Sequence, residues 1–186
     1  MRVSPPPSNY FDFFGLQHKL QLDLKDLEKR FYALSREWHP DRFARAGARE
    51  QQDSVDASAI LNDGYRTLRD PVARAEYLLK EQGFDIGAQK SNHVPPELLE
   101  EVFELNMALD ELRHGDQEVR PQLEESRTKF LEMRREVDED LAAQFVQYDS
   151  TGDRAILERI RAILNRRKYI RNLVNEVEKV LGARAE

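Results

Sequence analysis

The sequence predicts an all-α protein built as two helical domains, and three observations carry that prediction. Apolar residues recur at three- and four-residue steps through every long segment, which is the period of one helical face. Strand-like alternation is nearly missing. Proline and glycine fall where helices would start and stop, as at Asp70-Pro71, Gly83, Pro96 and Gly115. A charged fraction of 34% fits long helices with wet faces. With 186 residues, the chain is long enough to bury a core in one or two domains.

Residues 1–9, with Pro5, Pro6 and Pro7, read as a flexible lead-in. Tyr10, Phe11, Phe13, Phe14 and Leu16 form a cluster too short to stand alone, so a brief helix stopped at Gly15 and packed on the core is expected, with a binding patch as the alternative. Asp23 offers an N-cap to a helix from Leu24 to Trp38, whose face is Leu24, Leu27, Phe31, Leu34 and Trp38. Lys25, Lys29, Arg30 and Arg36 make its other faces lean basic. Pro40 ends that helix and biases His39 away from the helical basin, so His39 and Asp41 are expected on a loop. A third helix from near Glu50 to Leu68 buries Val55, Ala57, Ile60, Leu61, Tyr65 and Leu68. Asp70-Pro71 restarts a fourth with Val72, Ala75, Leu78 and Leu79 inward. This first domain spans 1–84.

Residues 85–95 read as a joint, and residues 96–186 as an antiparallel three-helix bundle. Its first helix follows Pro96 with the stripe Leu98, Val102, Leu105, Leu109 and Leu112. Its second runs from Asp116 to Tyr148 along Val119, Leu123, Phe130, Val137, Leu141 and Phe145. The last carries Ile156, Ile160, Ile163, Ile170, Val174, Val177 and Leu181.

Composition excludes several function classes. Without cysteine there is no disulfide or thiol catalysis, and a closed structural zinc site is disfavoured. His18, His93 and His114 are scattered rather than paired like metal ligands, so no metal and no cofactor are expected. No stretch approaches the ~20 apolar residues of a membrane span, and the N-terminal stretch has no signal-peptide pattern, so a cytoplasmic protein is expected. The net charge of -6 argues against a general nucleic-acid binder. Between Glu97 and Asp149 there are 16 acidic against 6 basic residues, which concentrates the acidic surplus in the bundle.

His39 and Asp41 pose a choice between catalysis, a structural turn and recognition. A hydrolytic site needs a third group fixing the pair in a sheltered pocket, whereas these flank a proline at a helical corner. Recognition is favoured, with the basic helix as a landing surface for an acidic partner. On the helix after Pro96, Leu99, Phe103 and Met107 form a second apolar line, set apart from the core stripe by the turn of roughly 100° per residue. A bundle helix turns one face inward, so this line is expected to be exposed and to bind a protein. The alternative is that Phe103 and Met107 pack against the first domain or a neighbouring helix.

The aromatic start at Tyr10-Phe11, the helix of Leu24 to Trp38, His39-Pro40-Asp41-Arg42-Phe43 and Leu61-Asn62-Asp63-Gly64-Tyr65-Arg66-Thr67-Leu68 together resemble a J-domain. With Pro71, Arg74, Ala75, Glu76, Tyr77, Leu78 and Leu79 following, then a short acidic bundle, the chain is similar to the HscB-type co-chaperones of iron–sulfur cluster biogenesis. The resemblance covers residues 9 to 182. It implies a non-enzymatic protein that stimulates ATP hydrolysis by an Hsp-seventy-class chaperone (HscA-like) through His39, Pro40 and Asp41, with Lys29, Arg30 and Arg36 as contacts. It also implies delivery of the cluster scaffold protein (IscU-like), bound by Leu99, Phe103, Glu104 and Met107, with Tyr169 and Leu173 from the last helix. Three positions depart from the family pattern. Gly64 replaces a small helix former, Met107 stands where relatives carry a charge, and Arg42 replaces the more frequent lysine. Arg74 and Glu76 are further expected, from position, to anchor the two domains to each other.

Overall fold

The computed structural model describes residues 9–85 and 94–182, and these form two compact units divided after Asp85. Most of the expected joint over 85–95 lies outside the described residues, as does His93. Among the described residues there are helices and no strands.

In the first unit, α1 (Tyr10–Phe13) is capped by the Asn9 side chain, which accepts from the Phe11 amide at 2.8 Å. Phe11, Phe13 and Phe14 are buried, so the aromatic cluster is core. The chain turns away at Gly15, whose φ of 61° suits a residue without a Cβ. Helix α2 (Leu24–Glu37) begins at its Asp23 cap, which accepts from the Lys25 amide at 2.9 Å. α3 (Ala48–Arg69) starts two residues earlier than expected, because the Glu50 carboxylate reaches back to the Gly47 amide at 3.2 Å. α4 (Pro71–Glu81) starts behind Asp70, whose carboxylate accepts from the Ala73 amide at 2.7 Å.

α3 is the hub, touching α1, α2, α4 and the short turn after α2. Two residues expected in this core are half exposed, Leu24 and Val55. Leu24 is the first residue of its helix, and Val55 follows the buried Ser54 by one position, which turns it about 100° outward.

Gly64 marks a close crossing. A Cβ there would lie 3.0 Å from Phe14 Cε2 and 3.1 Å from Tyr10 Cδ1. Arg74 is drawn inward, its Nε donating to the Leu20 carbonyl at 2.8 Å and its Nη1 to the Leu68 carbonyl. These bonds tie α4 to the segment before α2 and to the end of α3, within the first unit.

The second unit is a helical bundle. A single 3₁₀ turn (Pro96–Leu98) leads into α5 (Leu99–Arg113). Next come α6 (Arg120–Thr151) and α7 (Arg154–Gly182), joined by Gly152 in the left-handed region. α6 begins four residues later than expected. Asp116 caps a turn instead, accepting from the Glu118 amide at 2.8 Å, and Pro121 sits in the first helical turn where its missing N–H costs nothing. The core gathers Leu98, Leu105 and Leu109 of α5 and its entry turn, Leu123, Phe130 and Val137 of α6, and Ile170, Val174 and Val177 of α7. Arg127 of α6 holds Glu178 of α7 through two bonds of 3.0 and 2.7 Å, and Lys129 of α6 holds Glu101 of α5 at 3.3 Å.

Candidate functional site

The first candidate surface is the corner after α2. Trp38 caps that helix, its amide donating to the Leu34 carbonyl at 2.9 Å. His39 is extended (φ -62°, ψ 128°), as its place before a proline demands. The expected loop is a 3₁₀ turn over Pro40–Phe43, with His39 as its N-cap. His39 Nδ1 accepts from the Asp41 amide at 3.3 Å, which leaves the ring proton of the neutral form on Nε2. The Arg42 amide closes the turn on the His39 carbonyl at 2.9 Å.

The turn is hydrogen-bonded in its backbone and open in its side chains. His39 and Asp41 are 57% and 90% exposed, with Nδ1 and Oδ2 3.5 Å apart. A water-washed pair of this kind lacks the shelter that general base chemistry requires, whereas exposed polar groups on a fixed turn suit recognition. Beneath it, the Trp38 indole is buried and stacks on Phe43, with centroids 6.3 Å apart and planes 18° apart. Arg36, Trp38, Arg42, Phe43 and Glu50 line an open depression of about 780 Å³ beside the turn.

Lys29 and Arg36 are exposed on α2. Tyr32, also exposed, falls between them at helical spacing, so an aromatic interrupts the cationic line. Arg30 is placed differently. Its Nη1 donates to the carbonyls of Phe14 and Gly15 at 3.0 and 2.8 Å, and its Nε to Asp26 at 2.7 Å. This guanidinium ties α2 to the end of α1 and is not a free charge of the α2 surface. The periodicity could not show it, because the carbonyls it binds lie 15 and 16 residues away.

The second candidate surface is on α5. Leu99, Phe103 and Met107 are 54%, 65% and 50% exposed, while Leu98, Leu105 and Leu109 are buried on the opposite side. The two apolar lines therefore separate as their angles require. Glu100 and Glu104 are exposed beside the outer line and give it an acidic rim. On α7, Tyr169 is half buried against the core, and burial, reinforced by the Glu176 carboxylate, pushes its phenol above the usual range. Leu173 departs from the expected surface. It is 6% exposed and belongs to the core, because it shares the inward face with Ile170, Val174 and Val177.

Ser54 and Ser58 escaped the sequence reading. Their hydroxyls cross from α3 to the Trp38 carbonyl, at 2.7 and 3.1 Å. The only available signal was two serines four residues apart on the side of α3 that carries Ala57 and Leu61. Among the described residues no group of three or more His, Asp or Glu side chains could hold a metal ion. No helix among them is long and apolar enough to cross a membrane.

Comparison with known proteins agrees with this architecture. The family described as "HSCB C-terminal oligomerisation domain" matches residues 94–178. The co-chaperone protein HscB homolog of Vibrio cholerae serotype O1 is 37% identical over 173 residues, covering 92% of this chain and 96% of its own. The homolog of Neisseria meningitidis serogroup C is 36% identical over 149 residues, 75% of this chain and 90% of its own. Among solved structures, chaperone HscB from Vibrio cholerae superposes with a TM-score of 0.64 at 33% identity, over 94% of this chain and 98% of its own. Human co-chaperone protein HscB gives 0.69 at 25% identity, over 96% and 84%. An exposed His-Pro-Asp turn in a small helical unit, a helical bundle after it, and relatives matched along nearly their whole length lead to one conclusion: the chain belongs to the HscB family of co-chaperones.

Proposed function

We propose that this co-chaperone stimulates ATP hydrolysis by an HscA-like chaperone of the Hsp-seventy class and delivers to it an IscU-like scaffold for iron–sulfur clusters. The observation that carries the reading is the His39–Asp41 turn, whose backbone is fixed while its side chains stand in solvent. Lys29 and Arg36 add positive charge that steers an acidic ATPase surface onto α2 and the turn. Stimulation then follows if the turn binds the hydrolysis-competent conformation of the ATPase more tightly than the resting one, since only such a difference shifts an equilibrium. No covalent chemistry by this chain is involved.

On the bundle, Leu99, Phe103 and Met107 supply apolar area to the scaffold, Glu100 and Glu104 supply a charged rim, and Tyr169 adds a half-exposed aromatic. Large exposed aromatic and aliphatic side chains are the residue types that anchor interfaces. Leu173 supports this surface from beneath.

The test is steady-state ATP hydrolysis by an HscA-like chaperone with wild type and with His39→Gln, each with and without scaffold. Stimulation by wild type, raised further by scaffold and lost in His39→Gln, is expected. Stimulation that ignores the scaffold would point to another client for the bundle. Absence of stimulation by wild type would overturn the reading.

A further inference from the structure

We propose that Ser54 and Ser58 are positioning residues, which lock the peptide plane entering His39 and so set the direction in which the His39–Asp41 turn is presented. The inference rests on the recognition role given to that turn above, and it assigns the orientation of the turn to two side chains of α3.

The Trp38 carbonyl lies at the C-terminal end of α2, where the last four carbonyls have no intrahelical donor. Pro40 blocks continuation of the helix and itself offers no N–H. The carbonyl, attached to a 6%-exposed residue, therefore needs donors from elsewhere. Ser54 Oγ supplies one at 2.7 Å and Ser58 Oγ a second at 3.1 Å, filling both lone pairs. A serine inside a helix ordinarily bonds back to its own helix four residues earlier. Here both hydroxyls cross to a carbonyl 16 and 20 residues away. Ser54 is fully buried, and with Arg74 it makes up the buried polar residues of the described chain.

The geometry makes this carbonyl an effective handle. The peptide unit is planar, so holding the Trp38 oxygen also holds the His39 nitrogen. Past that plane only the His39 torsions remain, and Pro40 restricts ψ to extended values. The far side of the turn is held by Phe43, whose ring stacks on the Trp38 indole. The hydroxyls thus fix the entry of the turn and the aromatic pair fixes its exit, leaving the exposed imidazole and carboxylate on a rigid mount. Preorganisation of this kind removes the cost of ordering the turn at the step where it engages the hydrolysis-competent ATPase, after the α2 cations have docked.

The test compares wild type, Ser54→Ala/Ser58→Ala, and Ser54→Ala/Ser58→Thr, which restores one hydroxyl. Amide hydrogen exchange is read at Asp41 and Arg42 against amides in the middle of α3. In the double alanine variant the turn amides are expected to exchange about five- to tenfold faster while mid-α3 amides keep their protection, with most of the change reversed by the threonine. In the chaperone ATPase assay, maximal stimulation is expected to fall severalfold with little change in the half-maximal concentration, because the α2 cations still dock. Turn exchange unchanged in the double variant would overturn the proposal, as would maximal stimulation equal to wild type. Should the double variant not fold, the single Ser54→Ala and Ser58→Ala proteins are measured in the same two ways, and unchanged exchange or full stimulation in both overturns the proposal equally. A wild type that stimulates no ATPase refutes the proposed function, a failure separate from the exchange result, which needs no chaperone and still decides whether the serines hold the turn.

Discussion

Replacing Gly64 with alanine sets two opposing effects against each other at one atom. Gly64 is buried within α3, where glycine costs about 1 kcal/mol relative to alanine through backbone entropy. Propensity alone therefore predicts stabilisation. The added methyl would sit 3.0 Å from Phe14 Cε2, 3.1 Å from Tyr10 Cδ1 and 3.2 Å from Tyr10 Cγ, so both rings would have to retreat by a few tenths of an ångström to reach ordinary carbon contact. Neither ring is free to do so. Phe14 is buried and its carbonyl is held by Arg30. Tyr10 stacks on Tyr77 with centroids 4.5 Å apart, and its amide donates to the Tyr77 hydroxyl at 3.0 Å. Overpacking of a constrained core costs about 1–3 kcal/mol. The net expectation is no gain in stability and a loss of up to about 2 kcal/mol for the first unit, a fall of as much as roughly 16 °C in its melting temperature for a domain of this size. The single tryptophan, Trp38, is buried in this unit, so its fluorescence follows the unfolding of the first unit during a denaturant titration. A Gly64→Ala protein about 1 kcal/mol more stable, with an unchanged denaturant slope, would refute the packing argument and show that the rings yield freely.

Other expectations separate surface from core in the same way. Phe103→Ala and Leu99→Ala should change bundle stability by no more than about 0.5 kcal/mol while weakening scaffold binding by about tenfold or more in calorimetry. Leu173→Ala should cost about 2–5 kcal/mol of stability, so any binding loss it causes should track unfolding monitored by circular dichroism. Arg74→Met keeps the bulk but leaves the Leu20 and Leu68 carbonyls without this donor, and chemical denaturation of the first unit should show a loss of about 2–4 kcal/mol. Burial raises the phenol pKa of Tyr77, Tyr148 and Tyr169 in the folded chain. A raised folded value means the native state holds these protons more tightly than the unfolded chain does. Stability is therefore insensitive to them below about pH 10 and falls as pH rises past it. Tyr→Phe variants should flatten that alkaline decline in thermal melts taken from about pH 9 to 11.

Much of this molecule was legible one residue at a time. The Leu98–Leu109 stripe and the Leu99–Met107 line had to separate, because a helix turns about 100° per residue and a bundle needs one face inward. Asp23 and Asp70 capped where the cap rule placed them, and Pro40 ended α2. The His39-Pro40-Asp41 corner was located, although as a 3₁₀ turn rather than a free loop. The long-range contacts were not legible for one reason: Arg30 and Arg74 each bind backbone carbonyls that only the fold brings near.

What the sequence determined alone was therefore local. Periodicity, capping chemistry and the proline break act within one or two helical turns, and they give the all-α class, the helix order, the outward α5 line and the position of the exposed turn. The tertiary structure decided which polar groups were used up inside. Leu173 joined the core because its neighbours at 170, 174 and 177 set that face of α7 inward. Ser54 and Ser58 met the Trp38 carbonyl because α3 crosses the end of α2 at that level. Such pairings join residues distant in the chain through hydrogen bonds a few ångströms long, and no pattern within a single helix can specify them.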